Sequence, residues 1–157
     1  MNTPTRFSAC ILLTTLLLHC AIAQWSTHPA VNTRICTAAH SQSFPGSASD
    51  GSGGAIIVWN DERNSGNPDI YAQRVDAAGV AQWITNGAAI CSTGHSQIYP
   101  AIANDGSGGA IITWADQTDG HIYAQRVNAS GVAQWTANGS AICTATGSQG
   151  YPRIVSD

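Results

Sequence analysis

Residues 53–83 read GGAIIVWNDERNSGNPDIYAQRVDAAGVAQW, and residues 108–135 read GGAIITWADQTDGHIYAQRVNASGVAQW. Each stretch opens on a glycine pair and runs through an apolar segment rich in β-branched residues. It then crosses a polar turn and enters a second extended segment ending in Gln-Arg-Val. The apolar run is too short for a helix and is bounded by Gly, Asn and Asp clusters, so it reads as a strand. Outward from this pair, Cys36–Arg63 aligns with Cys91–Thr118 and Asn67–Ile90 with Asp119–Ile142. Only Asn64-Ser65-Gly66 is left unmatched, and 32 of the 52 aligned pairs are identical. The periods are therefore 55 and 52 residues, the range of propeller blades and other stacked β arrays.

Each repeat divides into four extended segments. In the second copy these are Tyr99–Ala103, Gly108–Ala115, His121–Asn128 and Ala133–Ile142, separated by Asn104-Asp105-Gly106, a polar turn and Ala129-Ser130-Gly131. Four strands in about 50 residues describe one propeller blade. The predicted fold is all-β: antiparallel four-stranded blades of a β-propeller-like repeat array. Composition agrees. All five leucines and the only methionine fall in the first 18 residues, there is no lysine, and Glu62 is the sole glutamate. Those four types are among the best helix formers, so a helical bundle, a coiled coil or a doubly wound α/β domain is excluded for the body of the chain.

The organisation follows. Residues 1–23 read as a signal peptide: Arg6 in the n-region, the apolar run FSACILLTTLLL, and Ala21-Ile22-Ala23 before Gln24. The apolar run is shorter than the ~20 residues of a membrane span, and His19 is a poor residue before a lipidated Cys20. Residues 24–35 are expected to be the final strand of a preceding repeat, because Gln24-Trp25 matches Gln82-Trp83 and Gln134-Trp135. Repeat 1 covers 36–90, repeat 2 covers 91–142, and 143–157 begin a third, truncated repeat. Two blades fall short of the 4–8 of a closed propeller. The array is thus expected to be incomplete, a fragment or one member of a ring of copies. The expected location is secreted, extracellular or at the cell surface, with the periplasm as an alternative. Residues 24–157 carry five arginines against nine acids, with no basic patch, so neither nucleic acid nor, after signal cleavage, a membrane is an expected partner.

The segment DGSGGAIIVWNDERNSGNPDIYAQRVDAAG resembles TolB-like bacterial β-propeller repeats. Asp50-Gly51, Ile56 to Trp59, Asp61-Glu62-Arg63 and Asp69-Ile70-Tyr71 carry the likeness. The second copy keeps Asp105-Gly106, Trp114, Asp116 and Ile122-Tyr123 but has Thr118 for the arginine and His121 for the aspartate. The YAQRV, QW and AIC elements are similar to repeats of large secreted bacterial proteins that often carry a type IX sorting domain. The resemblance implies a propeller fold and an extracellular repeat protein. No sorting domain is visible in this sequence.

The conspicuous residues all recur with the repeat. Trp59 pairs with Trp114, and Trp25 with Trp83 and Trp135; packing between blades is the preferred reading over sugar stacking. Cys36, Cys91 and Cys143 share one repeat position, too widely spaced for a metal cluster and poorly placed for a disulfide, so buried free thiols are expected. The loop Asn60–Asp69 is rich in oxygen ligands but lacks the acid alternation of a calcium loop. A hairpin tied by Asp61–Arg63 and Asp69–Arg74 pairs is expected instead. His40 and His95 recur, with Gly147 in the third copy, and suit polar loop contacts. Ser41-Gln42, Ser96-Gln97 and Ser148-Gln149 suit a turn capping the first strand. Asn128-Ala129-Ser130 and Asn138-Gly139-Ser140 match a glycosylation sequon fortuitously. No catalytic, cofactor-binding or metal-binding residue is singled out. The expected function is a non-catalytic repeat module for binding, adhesion or cell-surface display. Its expected partners are an extracellular glycan or protein and further blades of the same or another chain. The alternatives are a fragment of a propeller-type glycosidase or propeller-bearing peptidase, and purely structural spacer repeats.

Overall fold

A computed structural model of the chain describes residues 32–64 and 66–157. The expected signal peptide and residues 24–31, Trp25 included, lie outside them. Eight strands follow in order: β1 (Gln42–Ser49), β2 (Ala55–Asp61), β3 (Asp69–Val75), β4 (Ala88–Cys91), β5 (Gln97–Asn104), β6 (Ala110–Asp116), β7 (Ile122–Val127) and β8 (Ser140–Cys143). They form two four-stranded antiparallel sheets, ordered β1-β2-β3-β4 and β5-β6-β7-β8, and neither closes on itself. The described residues contain no helix.

Alternation along the central strands explains how the sheets meet. Ile56 and Val58 of β2 lie on one face with Ala72 and Ile70 of β3, while Ile57 and Trp59 point to the other. In the second sheet Ala110, Ile112 and Trp114 face the first, with Val127 opposite Ala110. The aliphatic face of one repeat thus packs on the tryptophan face of the next. The common core comprises Ile56, Val58, Ile70, Ala72, Ile90, Cys91, Ala110, Ile112, Trp114 and Val127, with Trp83, Ile102 and Tyr123 packed against it.

Polar side chains fix the turns. Asp50 Oδ1 accepts the backbone N–H groups of Ser52 and Gly54, both at 2.8 Å, and Asp105 repeats this with Ser107 and Gly109 at 2.9 and 2.8 Å. A Cβ on Gly54 or Gly109 would collide with the carbonyl of Val75 or Val127, so these two positions require glycine. Burial opposes ionisation of Asp50 and Asp105. The backbone donors together with Arg74 or Arg126 outweigh it and hold both carboxyls below the ordinary carboxylate value.

The fourth strand departs from expectation. It spans only Ala88–Cys91 and Ser140–Cys143; the preceding residues contribute single bridges, Val75 to Ala81 and Val127 to Ala133. Buried glutamines replace the ladder there. Gln73 Oε1 accepts Trp83 N–H at 2.9 Å and its Nε2 donates to the Ile84 carbonyl at 3.0 Å; Gln125 does the same with Trp135 and Thr136 at 2.9 and 2.8 Å. Residues 32–35 of the expected preceding strand form no strand, and residues 151–157 of the third copy have none either, because no described strand lies beside them to complete a ladder.

Candidate functional site

The first strands of the two sheets each carry a bulge. β1 loses register against β2 between Ser43 and Gly46, and β5 against β6 between Ile98 and Ala101. The residues left unpaired are Phe44-Pro45 and Tyr99-Pro100; Tyr151-Pro152 holds the same position in the third copy. All three aromatic residues take left-handed backbone angles, φ 50°, 57° and 54°. Bulky side chains rarely adopt that region, and a following proline restricts it further. Strain of this kind clusters at functional sites, and bulges re-aim side chains there.

The bulges bring the three rings together. Phe44 meets Tyr99 edge to face with centroids 5.4 Å apart, and Tyr99 stacks on Tyr151 at 4.2 Å with planes 22° apart. With the prolines and Arg153 they line one open groove that crosses three repeats. Phe44 is 59% exposed and Tyr151 66%, while Tyr99 is half-buried between them. Apart from Arg153 the groove is uncharged. Such a surface offers ring edges and faces for apolar C–H contacts and no nucleophile or acid–base pair.

The residues singled out from sequence fall elsewhere. Trp59 and Trp114 are buried at 4% and 0% exposure, as packing requires. Trp83 reaches across the junction to donate its indole N–H to the Ala129 carbonyl at 3.0 Å; Trp135, its counterpart, is exposed. All three cysteines of the described residues are free, but only Cys91 is buried; Cys36 and Cys143 are half-buried. Burial, with the charges of Asp116 and Asp69, pushes the Cys91 thiol up to about 12. The Asn60–Asp69 loop is tied as expected by Asp61 and Arg63 at 2.6 Å. Its second expected pair is not made. Arg74 binds Asp50 at 2.9 Å, because it lies at the end of the β2–β3 ladder beside the Asp-Gly turn, and Asp69 instead accepts from Asn64 and Ser92. Among the described residues no three His, Cys, Asp or Glu side chains are arranged to hold a metal.

His40 and His95 are exposed loop residues. Gln97 N–H bonds the Pro68 carbonyl at 2.7 Å, and Gln149 N–H the Gly120 carbonyl at 2.8 Å, so the repeated Ser-Gln hooks each repeat onto its predecessor's hairpin. The two sequon asparagines serve turns: Asn128 Oδ1 accepts Ser130 and Val132 N–H, and Asn138 Oδ1 accepts Ser92 N–H. The aromatic groove was not flagged by these motifs. Its one sequence signal is an aromatic-proline pair that begins two residues after each repeated Ser-Gln, with the same spacing in 41–45, 96–100 and 148–152. Comparison with family models, curated proteins and solved structures returns no match for this chain.

Proposed function

We propose that the chain is a secreted, non-catalytic repeat module whose sheets are propeller-type blades and whose role is to bind an extracellular glycan through the Phe44–Tyr99–Tyr151 groove. One observation carries this reading: an aromatic-proline pair with left-handed φ recurs in all three copies and lines its rings along one open groove, Phe44 and Tyr151 exposed and Tyr99 half-buried between them. A purely packing role would bury the rings, and the tryptophans already do the packing. Uncharged, ring-lined grooves suit the C–H faces of sugar rings. The secreted location rests on the signal-like residues 1–23, and the blade assignment on the period and on the head-to-tail packing of four-stranded sheets.

The test is binding of the purified chain to an array of bacterial and plant polysaccharides, followed by titration of the best ligand against Phe44→Ala and Tyr151→Ala. Each change should weaken binding roughly tenfold, about 1.4 kcal/mol, with the fold intact by circular dichroism. Absence of any glycan ligand, or affinity unchanged in both variants, overturns the proposal. Hydrolysis of a bound glycan or peptide by the chain would overturn its non-catalytic part.

A further inference from the structure

The two repeats differ at one position with large chemical consequences: Thr118 stands where the first repeat has Arg63. In repeat 1 the Arg63 guanidinium is held on several sides. Its Nε donates to Asp61 Oδ1 at 2.8 Å, and its Nη2 to Asp61 Oδ2 at 2.6 Å and to the Asn86 carbonyl at 2.7 Å. Nη2 also lies 3.4 Å from Cys36 Sγ, and Cζ sits 3.9 Å over the Tyr71 ring centre. This is a guanidinium receptor of carboxylate, carbonyl, sulfur and π face.

Every receptor element has its counterpart in repeat 2: Asp116 for Asp61, Asn138 for Asn86, Cys91 for Cys36 and Tyr123 for Tyr71. The backbone frame is kept. Thr118 N–H bonds Asp116 Oδ1 at 2.8 Å as Arg63 N–H bonds Asp61 Oδ1 at 3.0 Å, and Asn138 Oδ1 receives Ser92 N–H as Asn86 receives Thr37. Threonine is too short to reach the receptor, and it lies exposed at its rim.

The surrounding polar groups show the mismatch. Trp59 donates its indole N–H to Asp61 Oδ2 at 2.7 Å, but Trp114 Nε1, fully buried, has no acceptor. Gln97, also fully buried, donates to Asp116 Oδ2 at 3.0 Å and leaves its Oε1 without a donor. Asp69, 1% exposed, brings a second carboxylate to the same junction through its bond to Ser92, and its Oδ1 is unpartnered as well. Asp61 is fully buried beneath its arginine, whereas Asp116 is half-buried and accessible. Two buried acceptors, Gln97 Oε1 and Asp69 Oδ1, are thus unpartnered, and Asp116 reaches solvent with no arginine over it; the unpaired Trp114 N–H is a donor, which a guanidinium does not meet.

We propose that the second repeat receives an arginine side chain from a partner polypeptide, its guanidinium held by Asp116, the Asn138 carbonyl and the Tyr123 ring, with Cys91 buried beneath them. None of these residues lines the aromatic groove, although Asp116 and Tyr99 border one neighbouring pocket, and the inference stands whether or not that groove binds a glycan.

The probe is methylguanidinium, titrated into the full chain and followed by the indole signal of Trp114 and by calorimetry. One equivalent should bind saturably, more tightly than methylammonium. Thr118→Arg supplies the missing group internally and should reduce methylguanidinium affinity at least tenfold, as should Asp116→Asn with the fold verified by circular dichroism. Arg63→Ala opens the matching receptor of repeat 1 and should raise the stoichiometry from one to two. Phe44→Ala should leave all of this unchanged. No saturable binding to the wild-type chain, or wild-type affinity retained in both Thr118→Arg and Asp116→Asn, overturns the assignment.

Discussion

Comparing Phe44→Gly with Phe44→Ala isolates the strain at the aromatic bulge. Both substitutions delete the ring and its contact with Tyr99, so those losses cancel and only the backbone difference remains. Phe44 sits at φ 50° ahead of Pro45, and its ring is 59% exposed, so removing it collapses no core. In an ordinary strand glycine is the worse choice by roughly 0.5–1 kcal/mol, because the unfolded chain gains entropy. At a left-handed position a Cβ costs roughly 1–2 kcal/mol, which glycine avoids. The second effect wins, and Phe44→Gly should be more stable than Phe44→Ala by about 0.5–1 kcal/mol. For a chain of 157 residues that is a difference of roughly 1–4 °C in Tm. Urea unfolding of the two variants side by side, with equal m-values, gives the number directly. Equal stability, or alanine the more stable, would refute the claim that the bulge stores strain, and with it the strongest reason to read the groove as functional.

Two further outcomes follow from the ionisable groups. Asp50, Asp61 and Asp105 have folded-state pKa values lowered below 3.8, so the stability they confer is complete above that value and is lost as pH falls through the folded pKa; acid unfolding should begin below about pH 4, and Asp105→Asn should flatten that limb when stability is measured by urea at stepped pH. The Cys91 thiol, buried and pushed up to about 12, should resist iodoacetamide at pH 8 while Cys36 and Cys143 react, as peptide mass mapping after labelling would show, and rapid Cys91 labelling in the folded chain would contradict the sheet packing.

Much of the fold was legible because each repeat states its period twice. β2 and β6 are short apolar runs rich in β-branched residues between glycine and polar turns, and the Asp-Gly turns that precede them are written in residue types. The fourth strand was not legible. Its extended segment was placed at Ala133–Ile142, but Gln125 satisfies the backbone of Trp135 and Thr136 with its own amide, and a side chain substituting for a ladder bond leaves no trace in hydrophobic alternation. Arg74 misled for a similar reason. Charge complementarity offered Asp69 as its partner, while the hairpin geometry placed Asp50 nearer.

The aromatic groove escaped the sequence because Tyr99-Pro100 reads as the start of a strand, and residue type does not encode the sign of φ. What the structure adds is a contrast within the chain itself. Eleven glycines among the described residues take positive φ, and His40, Asn86 and Asn138 do so as well, so this sequence mostly places glycine, or a residue type that tolerates the left-handed region, where a turn needs it. At positions 44, 99 and 151 it places phenylalanine or tyrosine there instead, each before proline, and lets the rings meet outside the core. A fold-only requirement would be met by glycine at lower cost. The Thr118 position makes the complementary point: a receptor whose elements recur while its arginine does not is a difference between copies that packing alone does not require. Strain repeated at an open groove and a receptor repeated without its arginine are independent observations, and each supports one of the two proposed binding sites.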